Sequence, residues 1–396
     1  MIRHFIVASL LIPALAAAAT DVVVWHSYRG RERAALEKVA ANYNARQKDI
    51  QIDLLPIPYD AFPDKVTAAI PRGKGPDLFI FAQDRVGDWA ASGLIESIDF
   101  WADDALRKTY LEPTIEALTY DAQLYGLPMA FKEVALIRNT KLVPKAPQTT
   151  DEMVAAAKKV TDAKANTFGL VYENANFYFH AAWFQGFGAR VFDKKGTPTL
   201  ASPESVASLA FAADLAHGAG IMPQEVTNTL VTALFNQGHA GMVISGPWFL
   251  GEIQDGVPFE VSVLPIISKN GKRAMPFLTA EGVIMSAKCQ NKKQAFEAMR
   301  YLTSVEAGTV MATEGRQTTA RREVYELPEV KKDRALNAFK EQLQYSVPMP
   351  NTPAMRAVWT PATTAMNKAV NGKIEPKAAL DEAQAEVEKA LKGARR

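Results

Sequence analysis

The run Gly75-Pro76-Asp77-Leu78-Phe79-Ile80-Phe81-Ala82-Gln83-Asp84-Arg85-Val86-Gly87-Asp88-Trp89-Ala90 passes from a Gly-Pro turn through five apolar residues into a polar cluster, after which a helical pattern resumes. Five apolar residues bounded by turn signals suit a buried strand. In an open α/β sheet, ligands bind at the carboxyl ends of the strands, which is where Gln83, Asp84 and Arg85 fall. Asp84 is placed to cap the helix that follows. A carboxylate beside a guanidinium supplies acceptors and a forked donor, a pairing suited to a neutral polyhydroxylated ligand. A surface loop with a capping Asp and a solvated Arg fits the same residues.

On the N-terminal side, 21–25 reads as a buried strand and 26–31 as a polar turn. Leu36, Val39, Ala40 and Tyr43 then lie at helical spacing, 50–55 alternates as a strand and 62–70 is helical. Strand and helix in alternation predict an α/β fold, with a mostly parallel sheet and helices on both faces. On the C-terminal side, 124–139 holds two extended runs split by Lys132-Glu133, where a crossing into a second sheet is expected. Strands are expected at 167–173, 240–245 and 259–267, with an aromatic-rich loop at 174–179. A strand at 281–287 marks the crossing back. The tail carries Leu380, Ala383, Val387, Ala390 and Leu391 on one helical face.

A chain of 396 residues has room for two or three domains. Its 45 Lys and Arg against 43 Asp and Glu give a net charge of +2, which offers no electrostatic reason to bind nucleic acid or an anionic membrane. Residues 1–19 have a short polar start, an apolar run and four alanines, the order of a secretory signal peptide cleaved near Ala19, which places the mature chain outside the cytoplasm. A single cysteine, Cys289, permits no intrachain disulfide. The five histidines are far apart and none stands at ligand spacing, so no metal is expected, and neither a phosphate loop nor a dinucleotide fingerprint is present.

The aromatic residues carry more information. Trp248 follows Gly246-Pro247 after a strand, Tyr178 and Phe179 follow another strand, and Trp359 precedes a helix. Flat rings beside strand ends can stack under the apolar faces of sugar rings, with carboxylates and amides serving the hydroxyl edges.

Three stretches of this chain resemble the maltose/maltodextrin-binding branch of the periplasmic solute-binding proteins of ABC importers. They are Gly75-Pro76-Asp77 through Asp84-Arg85 to Ser92-Gly93-Leu94, then Ser245-Gly246-Pro247-Trp248, then Met349-Pro350-Asn351-Thr352-Pro353 with Trp359 beyond. The resemblance implies two doubly wound α/β lobes joined by a multi-segment hinge, the type II periplasmic binding protein arrangement, closing over a sugar. It implies a first lobe of 20–131 and 283–328 and a second of 132–282 and 329–396. From the first lobe it puts Asp84, Arg85, Phe81, Tyr28 and Arg31 on the ligand. From the second it puts Tyr178, Trp248, Trp359, Asn176 and Met349 there, with Glu133 at the crossing and Arg316 as a further cleft residue. It also implies a periplasmic monomer without cofactor or catalysis, serving an inner-membrane permease complex. The chain departs from the pattern at Phe81 (a Trp there), Asn176 (a Glu), Arg29 and Arg31 (an Asp-Lys pair), Lys132-Glu133 (one Glu) and Thr360 (a Tyr).

Two other functions use the same residues. A glycerol-phosphate or polyol-phosphate binder would employ Arg29, Arg31 and Arg316 as an anion clamp. A secreted glycoside hydrolase would employ Asp84 and Glu133 as its acid pair.

Overall fold

A computed structural model describes residues 19–394. The expected signal peptide, apart from Ala19, lies outside the described residues. Apart from a small hairpin of Thr119–Tyr120 with Gln123–Leu124, the strands in chain order are β1 (Thr20–His26), β2 (Ile50–Pro56), β3 (Leu78–Ala82), β4 (Gly126–Lys132) and β5 (Ala135–Asn139). They continue with β6 (Phe168–Val171), β7 (Ala240–Ser245), β8 (Phe259–Ser262), β9 (Phe277–Met285) and β10 (Val347–Pro348). The helices that matter below are α1 (Gly30–Arg46), α2 (Phe177–Phe187), α3 (Trp359–Val370) and α4 (Pro376–Ala394).

The first sheet runs β2-β1-β3-β9, with β4 and the short β10 on the far side of β9. Strands β1, β2 and β3 are parallel, and β9 is antiparallel to both β3 and β4. Leu36 and Val39 of α1, Phe62, Val66 and Trp89 seal this sheet in one core. The second sheet runs β8-β5-β7-β6. Along β5 the side chains alternate: Leu136 joins Leu170, Met242 and Ile244 on one face, while Ala135 and Ile137 join Val171 and Val243 on the other. Burial on both faces explains why these strands read as continuous apolar runs.

The C-terminal helices α3 and α4 pack with α2 into a layer that buries Phe184, Met366, Leu380 and Val387. Ala390, on the stripe expected from the sequence, is exposed one turn beyond the last buried residue.

The chain leaves the first sheet at the end of β4 and enters the second at β5, returns to the first at β9, and leaves it again beyond 318–322, a segment still bonded to 109–111 and 129–131. The boundary expected at 282/283 falls inside a continuous strand, because Thr279–Ile284 pair with β4 and Glu281–Met285 with β3; the crossing therefore precedes β9. Ahead of the boundary expected at 328/329, Val324 and Tyr325 lie in a core that Phe131 and Ala312 share with Ala135 and Ile137 of the second sheet.

The passages converge on Glu133. Its carboxylate is fully buried and accepts a hydrogen bond from Ser346, whose hydroxyl also reaches the Gln342 carbonyl at 3.1 Å. Gln342 Oε1 in turn accepts from the Leu264 amide at 2.7 Å, so side chains from successive passages meet in one buried polar knot. Glu133 Oε1, Tyr325 Oη and Gln342 Nε2 have no hydrogen-bond partner there. No cation pairs with Glu133 among the described residues, and burial pushes its pKa well above the usual carboxylate range.

A raised carboxyl pKa stabilises the fold fully below the unfolded-state value near 4.5, and this contribution is lost as pH climbs toward the native value. Glu133→Gln keeps the shape and an acceptor for Ser346 without the charge. The Tm advantage of Glu133→Gln over the parent, measured by calorimetry, is expected to grow from pH 5 to pH 8; an advantage that is flat with pH would show that Glu133 does not titrate in the hinge.

Candidate ligand-binding site

Between the lobes lies a cavity of about 690 Å³ lined from both sides. The first lobe contributes the loop from β1 into α1, the carboxyl ends of β3 and β4, and the middle of β9. Helix α1 begins at Gly30, which has a φ of +52° that a side-chain-bearing residue adopts only with strain, so Arg31 and Glu32 stand on its first turn rather than in a loop. The second lobe contributes the start of α2 and the turn after β7.

The floor is ionic. Lys132 Nζ lies 2.7 Å from Glu32 Oε1, 3.6 Å from Glu281 Oε2 and 5.4 Å from the centre of the Tyr28 ring. Tyr28 donates its hydroxyl to Glu281 Oε2 at 2.8 Å, and Gln317 Nε2 sits 3.4 Å from both carboxylates. Burial pushes the Glu281 pKa up, and Lys132 partly offsets it. For Lys132, burial alone would lower the pKa, but the two carboxylates outweigh it and hold the ammonium charged. A register shift between Glu281 and Gly282 leaves Met129 of β4 unpaired, and such bulges re-aim neighbouring side chains.

The opposite wall is aromatic. The ring centres of Tyr178 and Trp248 are 6.2 Å apart, and Phe179 meets Trp248 edge-on at 6.4 Å. Trp248 folds back over Gly246, where a methyl group would overlap the indole; the Gly-Pro-Trp run is thus a device for holding that ring. Asn176 caps α2, accepting from the Tyr178 amide at 3.0 Å, and thereby sets the turn that presents Tyr178.

Of the residues named from the sequence, Tyr28, Arg31, Tyr178 and Trp248 line this cavity together. The others stand outside its lining. Phe81 is only 4% exposed, stacked between Phe62 (4.7 Å, 16°) and Tyr59 (5.1 Å, 24°). Tyr59, 49% exposed, is the ring that reaches the cavity in front of it. Glu133 is sealed in the hinge. Met349 is buried, with its amide donating to the Leu278 carbonyl at 2.9 Å. Trp359 is edge-on to Phe177 and Phe277 in the helical layer. Arg316 reaches the Leu250 carbonyl at 3.4 Å and so bridges the lobes.

Asp84 and Arg85 form a pair at 3.7 Å in a short 3-10 turn, next to Ala82, which does line the cavity. Asp84 caps no helix: the following helix Val86–Ala91 has no side-chain cap. One Asp84 oxygen is buried without a partner, and burial raises its pKa to about 6 against the pull of Arg85.

Lys132, Glu281, Glu32 and Tyr59 also line the cavity, and little in the sequence marks them as ligand contacts. The one available signal was Glu281, a lone acid inside the apolar run of β9.

A family model of bacterial extracellular solute-binding proteins matches residues 29–309. This chain belongs to that family. A maltotriose-binding protein of Pyrococcus abyssi is 32% identical over 351 residues, covering 85% of this chain and 75% of that protein. A galactooligosaccharide-binding protein of Bacillus subtilis is 27% identical over 378 residues, covering 92% and 88%. Among solved structures, a cyclo/maltodextrin-binding protein complexed with maltotetraose has a TM-score of 0.84 at 32% identity, covering 94% of this chain and 97% of that one. The solute-binding protein described here thus has the two-lobed type II architecture and falls in the maltose/maltodextrin branch.

The contrast between Phe81 and Tyr59 is measurable by urea unfolding. Phe81→Ala empties a buried ring site and is expected to cost about 3–5 kcal/mol. Tyr59→Ala, at a half-exposed ring, should cost about 1 kcal/mol or less. Equal losses would contradict the assignment of one ring to the core and the other to the cavity wall.

Proposed function

We propose that this solute-binding protein is the periplasmic, substrate-binding component of an ABC importer, and that it takes a neutral maltodextrin-type oligosaccharide between its lobes. One observation carries the proposal: the rings of Tyr178 and Trp248 stand across one cavity from the Tyr28, Lys132 and Glu281 cluster. A pyranose has apolar faces and a hydroxylated rim, and this cavity has matching surfaces on opposite walls. The names of the relatives point to the same ligand class. No bond need be made or broken: closure requires only that the ligand bind the closed form better than the open one, and the permease complex then discriminates by shape.

The two other readings lose their residues. Four carboxylates (Glu32, Glu173, Glu252, Glu281) face three bases (Arg29, Arg31, Lys132) in the lining, an excess of negative charge that opposes a phosphate. Arg316, the third member of the anion clamp, lies outside the lining. Asp84 and Glu133, the acid pair of a hydrolase, are also outside it, and Glu133 has no access to solvent.

A thermal-shift series with maltose, maltotriose, maltotetraose and glycerol 3-phosphate tests the proposal. A neutral oligosaccharide at a thousandfold excess over Kd should stabilise the protein by about 4 kcal/mol and be recovered unchanged. Trp248→Ala should abolish most of that shift. A shift with glycerol 3-phosphate and none with any neutral saccharide, or turnover of the sugar, would overturn it.

A further inference from the structure

The ionic floor of the cleft has a feature that fold stability does not explain. Two carboxylates share one ammonium, all with side chains about four-fifths or more buried (12% exposed for Lys132 and Glu281, 21% for Glu32). Burying ions costs several kcal/mol each, and a cluster with surplus negative charge recovers less than a matched pair. The hydrogen bonds are also lopsided. Every protein contact of the Glu281 carboxylate falls on Oε2: the Tyr28 hydroxyl at 2.8 Å, Gln317 at 3.4 Å and Lys132 at 3.6 Å. Among the described residues Glu281 Oε1 accepts nothing, and it is not among the oxygens sealed from solvent, so it opens onto the cavity.

Lys132 is in the complementary position. Its ammonium has three donors, one committed to Glu32 at 2.7 Å and a second turned toward Glu281 at 3.6 Å. The third donor has no acceptor among the described residues, and Lys132 lines the cavity together with Glu281. The register shift beside Glu281 and the Tyr28 hydroxyl on its Oε2 fix the direction in which Oε1 points.

We propose that Glu281 and Lys132 act as one specificity-determining grip for a vicinal diol: Glu281 Oε1 accepts from one hydroxyl of a terminal sugar ring while Lys132 donates to its neighbour. This rests on the reading of the cleft as a neutral-saccharide site, and it moves the chief hydroxyl contact from the Asp84-Arg85 pair to residues on β4 and β9. The grip selects by charge as well as by pattern. An anionic substituent on that ring meets an unneutralised carboxylate and is rejected, whereas a ring lacking either hydroxyl leaves a buried charge unpaired.

The test is calorimetric titration with maltotriose, its monodeoxy analogues and a maltotriose uronate. The parent should bind maltotriose and lose about tenfold or more for the two analogues missing adjacent hydroxyls of one ring, since charge-assisted hydrogen bonds carry that much discrimination. Glu281→Gln and Lys132→Met should each weaken maltotriose about tenfold and then show little further loss with their own deoxy analogue, the non-additivity of a shared contact. Glu281→Gln should also narrow the gap between maltotriose and the uronate, which a merely structural residue would not do. Tyr28→Phe, which frees the pinned oxygen of Glu281, gives the same deoxy pattern in weaker form and serves as the readout if either charge variant fails to fold. Parent protein that binds maltotriose, with variants that keep its affinity and the full deoxy pattern, overturns the grip alone. Parent protein that binds no neutral saccharide overturns the cleft reading and the grip together.

Discussion

Strand β9 cannot be buried in the first sheet unless it is hydrogen-bonded along both edges, and that requirement organises the molecule. An unpaired amide or carbonyl in such a place costs as much as several surface contacts provide. One edge is met by β3, the other by β4 and, at its start, by β10. Gln83 completes the arrangement at the end of β3: fully buried, it accepts from the Ala280 amide at 2.8 Å and donates to the Leu278 carbonyl at 3.1 Å. The partners come from three distant parts of the sequence, so the chain must cross between the lobes repeatedly. The hinge is a by-product of filling that sheet.

The same crossings place the cleft chemistry. Lys132 ends β4, Glu281 lies mid-way along β9 and Glu32 opens α1, so three separate segments bring a base and two acids to one floor. Across from them, Tyr178 and Trp248 sit on a helix start and a turn of the other lobe, where domain motion can bring them toward a ligand or away from it. Tyr178 Oη also lies 3.4 Å from the Lys132 carbonyl, which ties the aromatic wall to the strand end that carries the ammonium. Close contact between Gly87 and the Asn351 carbonyl docks the late segment on the first lobe, since a side chain at Gly87 would strike it.

The backbone was the legible part. Alternation of 21–25, α1, 50–55 and β3 gave the first parallel strands, and the two-run pattern at 124–139 gave the first crossing, because periodicity and burial act locally. What the sequence hid was which member of an adjacent pair faces the cavity. Lys132 and Glu133 are neighbours, yet one opens to the cleft and the other into the hinge, since successive residues of an extended chain point to opposite sides. Phe81 and Tyr59 are far apart in sequence, but they stack, and only the packing shows that Tyr59 is the outer ring. Asp84 misled for a different reason: its strand ends in a 3-10 turn rather than directly in a helix, so the expected cap does not form. The strand expected from Glu281 starts at Phe277, because the apolar residues ahead of that acid already pair in the first sheet.

Neither lobe is a continuous length of chain, and this bears on the order in which the molecule can assemble. As the polypeptide emerges from its N-terminus, β3 has no neighbour on its outer edge until residue 285 has appeared, and the layer around α2 stays uncovered until α4 has been made. The growing chain therefore carries first an unfinished sheet edge and then, for longer, an unroofed apolar surface. The sheet edge cannot be closed before β9 has been made, nor the apolar layer before α4.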